Sequence, residues 1–283
     1  MIKLVYAQLR RLKRSGLFWL ALVGIAAISA YRCADNVQNA DYFEWMLFEM
    51  SPYFSFLYAG FIGLFVGTEY SDGAMRNKLA VGHTRAAVYG ANLFVSTLVS
   101  ILFQVVMFAI IWAVGPLTMQ TQLPAFTFAY YMLCGLLVCM AFAAVFTAVA
   151  MLCSNKAGAT VLAFVVAFGL FFVSAQINDR LSEPETIQNG PIVFTEDGKI
   201  MIDPSEVYDN PLYIPEGPVR DALGTINSVL PSGQAVDLGL LYSKWRETTT
   251  TPADHWYWPL CSILFTVVVS AAGLAVYKRK DIK

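Results

Sequence analysis

Charge is what this sequence has least of. Only 14% of its 283 residues are Asp, Glu, Lys or Arg, where an ordinary soluble domain carries about 25%. Hydrophobic residues make up 57% and the mean hydropathy is +0.56, which excludes a soluble globular chain. Five stretches hold no Asp, Glu, Lys or Arg at all: 15–31, 50–68, 86–155, 157–178 and 255–277. No such residue falls at mid-membrane, which argues against an ion- or proton-coupled carrier and against a voltage sensor. Histidine is nearly absent too; His83 and His255 are expected on opposite sides of the membrane, so they cannot share a metal or triad site. There is no GxxxxGK[ST] loop, because the sole Gly-Lys pair, Gly198-Lys199, is followed by Ile. GxSxG and HExxH are missing as well. Five cysteines, Cys33, Cys134, Cys139, Cys153 and Cys261, form no CxxC or Cys/His cluster and read as small apolar packing residues. The expectation is a chain with no catalytic residue, no metal and no cofactor of its own.

What is present is length without charge. A hydrocarbon core of about 30 Å takes about 20 apolar residues in a helix, so four of the stretches fit one span each and 86–155 fits two. The runs are continuous, without the period-two alternation of a membrane barrel. The fold class is therefore an all-α polytopic membrane protein with six transmembrane helices. The net charge of −1 hides an asymmetry. Residues 1–14, 69–85, 153–157 and 278–283 together hold 13 bases and 3 acids, and the opposite side holds 6 bases and 17 acids. The positive-inside rule puts the basic side, and both termini, in the cytoplasm. The basic start followed by an apolar run also resembles a signal peptide, but Ala30 follows Ile28 by two and Ala34 follows Arg32, poor cleavage contexts, so an uncleaved first span is expected.

Five domains follow in order: an interfacial amphipathic helix at 1–14, spans one to five at 15–177 with a loop at 69–85 on the basic side, an extracellular insertion at 178–255, span six at 256–277, and a basic tail at 278–283. In the first, Ile2, Val5, Leu9 and Leu12 recur at helical spacing among five bases, a pattern suited to lying on anionic lipid; the same charges would also serve as a topogenic signal. Gly60, Gly63 and Gly67 in span two, Gly135, Cys139, Ala143 and Thr147 in span four, and Ala159, Ala163 and Ala167 in span five predict close helix packing. Span three carries Asn92, Ser96, Ser100 and Gln104 every fourth residue. Such a line must face protein or water, either as interhelical hydrogen bonds or as the lining of a substrate route through Ser96, Ser100 and Gln104.

The insertion is acidic, with 13 acids against 5 bases, yet patterned. Ile192–Thr195 and Lys199–Ile202 flank Glu196-Asp197-Gly198, a hairpin signal. Pro218 opens an amphipathic helix with Val219, Leu223, Ile226 and Leu230, and Pro231 is expected to stop it. This small α+β insertion would pack on the membrane surface or dip into it, with Trp245, Trp256, Tyr257 and Trp258 at the interface.

The most informative stretch runs Gly67-Thr68-Glu69-Tyr70-Ser71-Asp72-Gly73-Ala74-Met75-Arg76-Asn77-Lys78-Leu79-Ala80-Val81-Gly82-His83-Thr84-Arg85 and on to Tyr89. Physically it is an acid at the end of a membrane helix, a short mixed helix, a glycine break, and a base at the start of the next span. It resembles the inner loop of ABC-transporter permeases of the type-2 exporter class at Glu69, Tyr70, Gly73, Arg76, Asn77, Gly82, Thr84, Arg85 and Tyr89, with Ala74 where that family usually has Thr. The six-span layout, the basic amphipathic start, the large insertion before the last span and Leu230-Pro231-Ser232-Gly233-Gln234 extend the resemblance over nearly the whole chain.

That resemblance implies the membrane subunit of a bacterial exporter, in the cytoplasmic membrane, paired with a second permease copy or a homologous permease and with two cytoplasmic ABC ATPase subunits that hold ATP and Mg. Glu69, Tyr70, Gly73, Arg76, Asn77, Gly82 and Arg85 would then form an ATPase-coupling loop. Efflux of an amphipathic substrate such as an antimicrobial peptide or drug is compatible with it. Two other classes stay open: an ATPase-independent carrier or channel, and a membrane-embedded immunity or sensor protein that binds a peptide through the insertion. Membrane lipid is an expected partner, and nucleic acid is not, because the basic surface is the ordinary inner-face bias.

Overall fold

A computed structural model describes residues 1–36, 43–118, 124–188, 192–194, 200–202, 207–247 and 255–280. Among these residues, six helices are long and apolar enough to cross a membrane. In chain order the elements are α1 (Ile2–Arg14), α2 (Gly16–Asn36), α3 (Phe43–Glu49), α4 (Ser51–Ser71), α5 (Ala74–Ala80), α6 (Arg85–Thr118), α7 (Ala125–Leu152), α8 (Lys156–Ser182), strands β1 to β4 (Thr186–Gln188, Ile192–Phe194, Ile200–Ile202, Val207–Asp209), α9 (Pro218–Val229), α10 (Pro231–Glu247) and α11 (Trp258–Arg279). The spans are α2, α4, α6, α7, α8 and α11.

α1 is amphipathic, but its buried stripe is Leu4, Gln8 and Leu12 rather than one that begins at Ile2, which is exposed. Its last turn holds Arg11, Lys13 and Arg14, where cations favour the helix dipole. Ser15 takes an extended conformation and separates α1 from α2. α2 then runs chiefly along α6.

α7 is the axis of the bundle: α4, α6 and α11 all pack on it, and residues 141–148 on it are buried throughout. The small residues of its face allow this. A Cβ on Gly135 would lie 3.3 Å from the Phe108 ring, and one on Gly273 of α11 only 2.7 Å from Ala148 and 2.4 Å from the Tyr89 hydroxyl. The most extensive helix pairing joins α4 to α8. There Gly63 and Gly67 lie so close to the backbone at Thr160 and Lys156 that a Cβ would approach to 2.9 Å at each, and Ala159, Ala163 and Ala167 are fully buried opposite. The glycine and alanine repeats are thus one interface. Asn155 caps α8, its side chain accepting from the Gly158 amide at 2.7 Å.

The acidic end adds one short helix and differs from its sequence reading at Pro231. Residues 43–49 form a helix, α3, with Met46, Leu47 and Phe48 buried. Pro231 does end α9, but it also opens a second helix at once, since proline suits the first turn of a helix. α10 packs against α3, α4, α7 and α8 and buries Ala235, Val236, Leu238 and Leu241, so this part of the insertion is set into the bundle. Among the described residues the insertion also holds two antiparallel pairs, β1 with β4 and β2 with β3. β2 and β3 align Ile192 with Ile202 and Phe194 with Ile200. The Asp197-Gly198 turn expected between them lies outside the described residues, as does the 281–283 end of the tail.

Candidate functional site

The loop that the sequence singles out is organised around Glu69. This carboxylate sits in the last turn of α4 with 1% of its surface exposed. Arg11 of α1 and Lys78 of α5 both form ion pairs with it. Gln8 of α1 donates to Oε1 at 2.6 Å and Asn92 of α6 donates to Oε2 at 3.1 Å. Gln8 also donates to the Asn92 oxygen at 2.9 Å. Four helices therefore meet on one buried anion. Charge-assisted bonds of this kind are the stronger class, and a buried carboxylate needs them. Burial pulls Arg11 and Lys78 below their ordinary pKa values, and the charge of Glu69 opposes that pull. Arg11 also stacks on Phe65, 3.9 Å from the ring centre.

α5 hangs from this cluster between two glycines. Gly73 has φ 67° and Gly82 φ 94°, both left-handed conformations that cost a residue with a Cβ. The short helix turns Met75 inward, buried, and Lys78 toward Glu69. Arg76, Asn77, Ala80 and Val81 face outward and are exposed, Val81 with 79% of its surface.

Tyr70 and Arg85 have different surroundings. The Tyr70 hydroxyl donates to the Met151 carbonyl at 2.6 Å, at the C-terminus of α7. Lys280 joins it there, donating to the Cys153 carbonyl at 2.6 Å and lying 4.3 Å from the centre of the Tyr70 ring; burial lowers its pKa. Arg85 donates to the carbonyls of Tyr277, Lys278 and Lys280 at the end of α11. Both side chains thus satisfy helix C-termini, where carbonyls lack partners and the dipole favours donors and cations. Of the seven loop residues, Arg76 and Asn77 present their side chains outward, Glu69, Tyr70 and Arg85 hold helices together, and Gly73 and Gly82 shape the backbone.

Ser96, Ser100 and Gln104 are all buried in the helix packing of α6. Gln104 accepts from the Tyr58 hydroxyl of α4 at 2.8 Å. Asn92, in register with them, belongs to the Glu69 cluster instead.

At the acidic end a cavity of about 860 Å³ lies between α8, α9 and α11, with Glu216, Arg220, Asp221 and Tyr257 on its wall. Beside it runs a buried polar knot. Asp237 accepts from Asn178 at 2.6 Å and from Asn227 at 3.2 Å, Ser174 meets Ser232 at 2.7 Å, and Gln234 receives Ser262 at 2.7 Å. Gly233 fits here because even a Cβ would lie 1.9 Å from the Asn227 carbonyl oxygen.

The four partners of Glu69 were not singled out in the sequence as a cluster. Two of them carry a signal of their own: Gln8 is a polar residue at helical spacing between Leu4 and Leu12, and Asn92 heads the polar line of α6.

The sequence model of the family described as ABC-2 family transporter protein matches residues 4–170, from the first turn of α1 to the middle of α8. The chain belongs to that family. As an ABC-2 permease it is the membrane transport component of an ABC system, and the match covers the whole Glu69 cluster, α5 and the polar line of α6. The acidic insertion and α11 lie beyond the match. A search of curated proteins found no match to this permease.

Proposed function

We propose that this permease couples ATP hydrolysis by a separate ABC ATPase to export of an amphipathic substrate, and that the ATPase docks on the outward face of α5. One observation carries the reading: α5 is pinned on its inner side by Lys78 to Glu69 while Arg76, Asn77 and Val81 face outward on a helix bounded by two positive-φ glycines. A displacement of α5 is transmitted through Glu69 to α1, α4 and α6 together, which is how a movement at one end reaches the membrane interior. ATP and Mg belong to the partner. The basic end is cytoplasmic by the charge asymmetry, the family resemblance implies a bacterial inner membrane, and the permease works as a dimer with a second copy or a homologue. Ser96, Ser100 and Gln104 line the substrate route once the helices of α4 and α6 separate.

The test is purification of the tagged chain in mild detergent with its co-purifying ATPase. Arg76→Glu reverses an exposed charge that forms no ion pair among the described residues, so it should leave the thermal midpoint unchanged and abolish both co-purification and stimulated hydrolysis. Retention of the ATPase would overturn the docking face. Isolation of the chain as an ATPase-free homo-oligomer that moves solute down a gradient would favour the carrier reading.

A further inference from the structure

We propose that the cleft between α1, α4 and α8 binds the phosphate headgroup of an anionic phospholipid from the leaflet at the basic end. This stands apart from the ATPase reading, since it needs only that the chain sits in a membrane. The cleft has a volume of about 390 Å³ and opens beside Ser15, at the junction of α1 and α2. Three cations reach it, Arg11, Arg14 and Lys156, and one carboxylate, Asp72. Arg11 is fixed by Glu69 and by the Phe65 ring. Arg14 and Lys156 are exposed and form no ion pair among the described residues. The cleft therefore carries an excess of two positive charges, and Lys156 is also the first residue of α8, where the helix dipole adds to the positive field.

The other wall is apolar. Leu64 and Phe65 lie one turn of α4 deeper than Thr68, toward the middle of the span, and Leu17 faces them from α2. A basic rim above an apolar wall at a membrane surface complements a ligand with a phosphodiester at one end and acyl chains at the other. An inorganic phosphate ion shares the first half of that chemistry and leaves Leu17, Leu64 and Phe65 unused. The headgroup would receive the fork of Arg14 and the ammonium of Lys156, with Arg11 as a fixed positive background.

The probe is phosphatidylglycerol, mixed in equal amount with phosphatidylcholine and offered to the full-length chain in detergent, with retained lipid read by native mass spectrometry. The wild-type chain should retain phosphatidylglycerol in preference to phosphatidylcholine. The double variant Arg14→Gln, Lys156→Gln should lower that preference at least about fivefold, equivalent to about 1 kcal/mol. Lys156→Arg should restore it in the Arg14 background. The control Lys3→Gln, Arg10→Gln removes the same charge from exposed positions of α1 outside the cleft and should keep the preference. Equal loss in the control would mean diffuse surface attraction and overturn the site, as would full retention in the double variant. Displacement of the lipid by inorganic phosphate would likewise overturn it, in favour of a free-anion site. Because both cleft substitutions are at exposed side chains, helicity and thermal midpoint should stay at wild-type values, which separates loss of binding from loss of fold.

Discussion

At the residue scale, Glu69 is the position where one atom change reaches furthest. Glu69→Ala leaves Arg11 and Lys78 without their counter-charge in a partly buried setting, and removing one partner from a buried ion pair costs about 3 kcal/mol. The thermal midpoint in detergent should fall accordingly. Combining Glu69→Gln with Lys78→Met should cost less than the sum of the two, because the second change removes a charge that the first has stranded. Gly73→Ala and Gly82→Ala should each cost about 1 kcal/mol through the left-handed backbone alone, since a Cβ at either meets no neighbouring atom within 4 Å. Their larger effect should appear in ATPase stimulation, as α5 is re-aimed. Gln104→Leu removes the amide oxygen that accepts from the Tyr58 hydroxyl and should lower stability by about 1 kcal/mol. A fall in substrate export well beyond what the lost protein explains would assign Gln104 to the transport route; unchanged export per folded molecule would leave it as packing.

At the element scale the contrast between α4 and α10 explains what the sequence revealed. The spans are legible because a bilayer imposes one rule on every residue in them, and Gly63 and Gly67 point to a close helix interface, though not to α8 as its partner, because only small residues let two backbones come so close. Gly63→Leu should therefore separate α4 from α8 and cost about 2 kcal/mol or more by overpacking, read as loss of the monodisperse folded species. α10 was hidden because its burial is not periodic. Ser232, Gln234 and Asp237 look like loop residues, and three of the groups that satisfy them, Ser174, Asn178 and Ser262, lie 28 to 59 residues away in sequence. The site shows the same limit. A lone acid closing α4 was visible, but not that Gln8 and Asn92, 61 and 23 residues from it, would converge there. Nor could charge alone reveal that Arg85 closes the end of α11 instead of pointing outward.

At the scale of the whole molecule, the structure is a bundle with a basic end that carries the Glu69 cluster and an acidic end that carries α3, α9, α10 and the strands. The orientation proposed for it makes a direct prediction. In intact cells of a cysteine-free background, Thr84→Cys should react with a membrane-impermeant thiol reagent only after permeabilisation, whereas Glu216→Cys should react at once. Reversal of the two would invert the topology and detach α5 from any cytoplasmic ATPase. The Glu69 cluster has a further consequence, one for biosynthesis. All four of its partners, Gln8, Arg11, Lys78 and Asn92, are encoded before α6 is finished. A nascent chain can thus neutralise its buried acid before α7, α8 or α11 leaves the ribosome, and the first three spans should mature as one early unit onto which the later helices assemble.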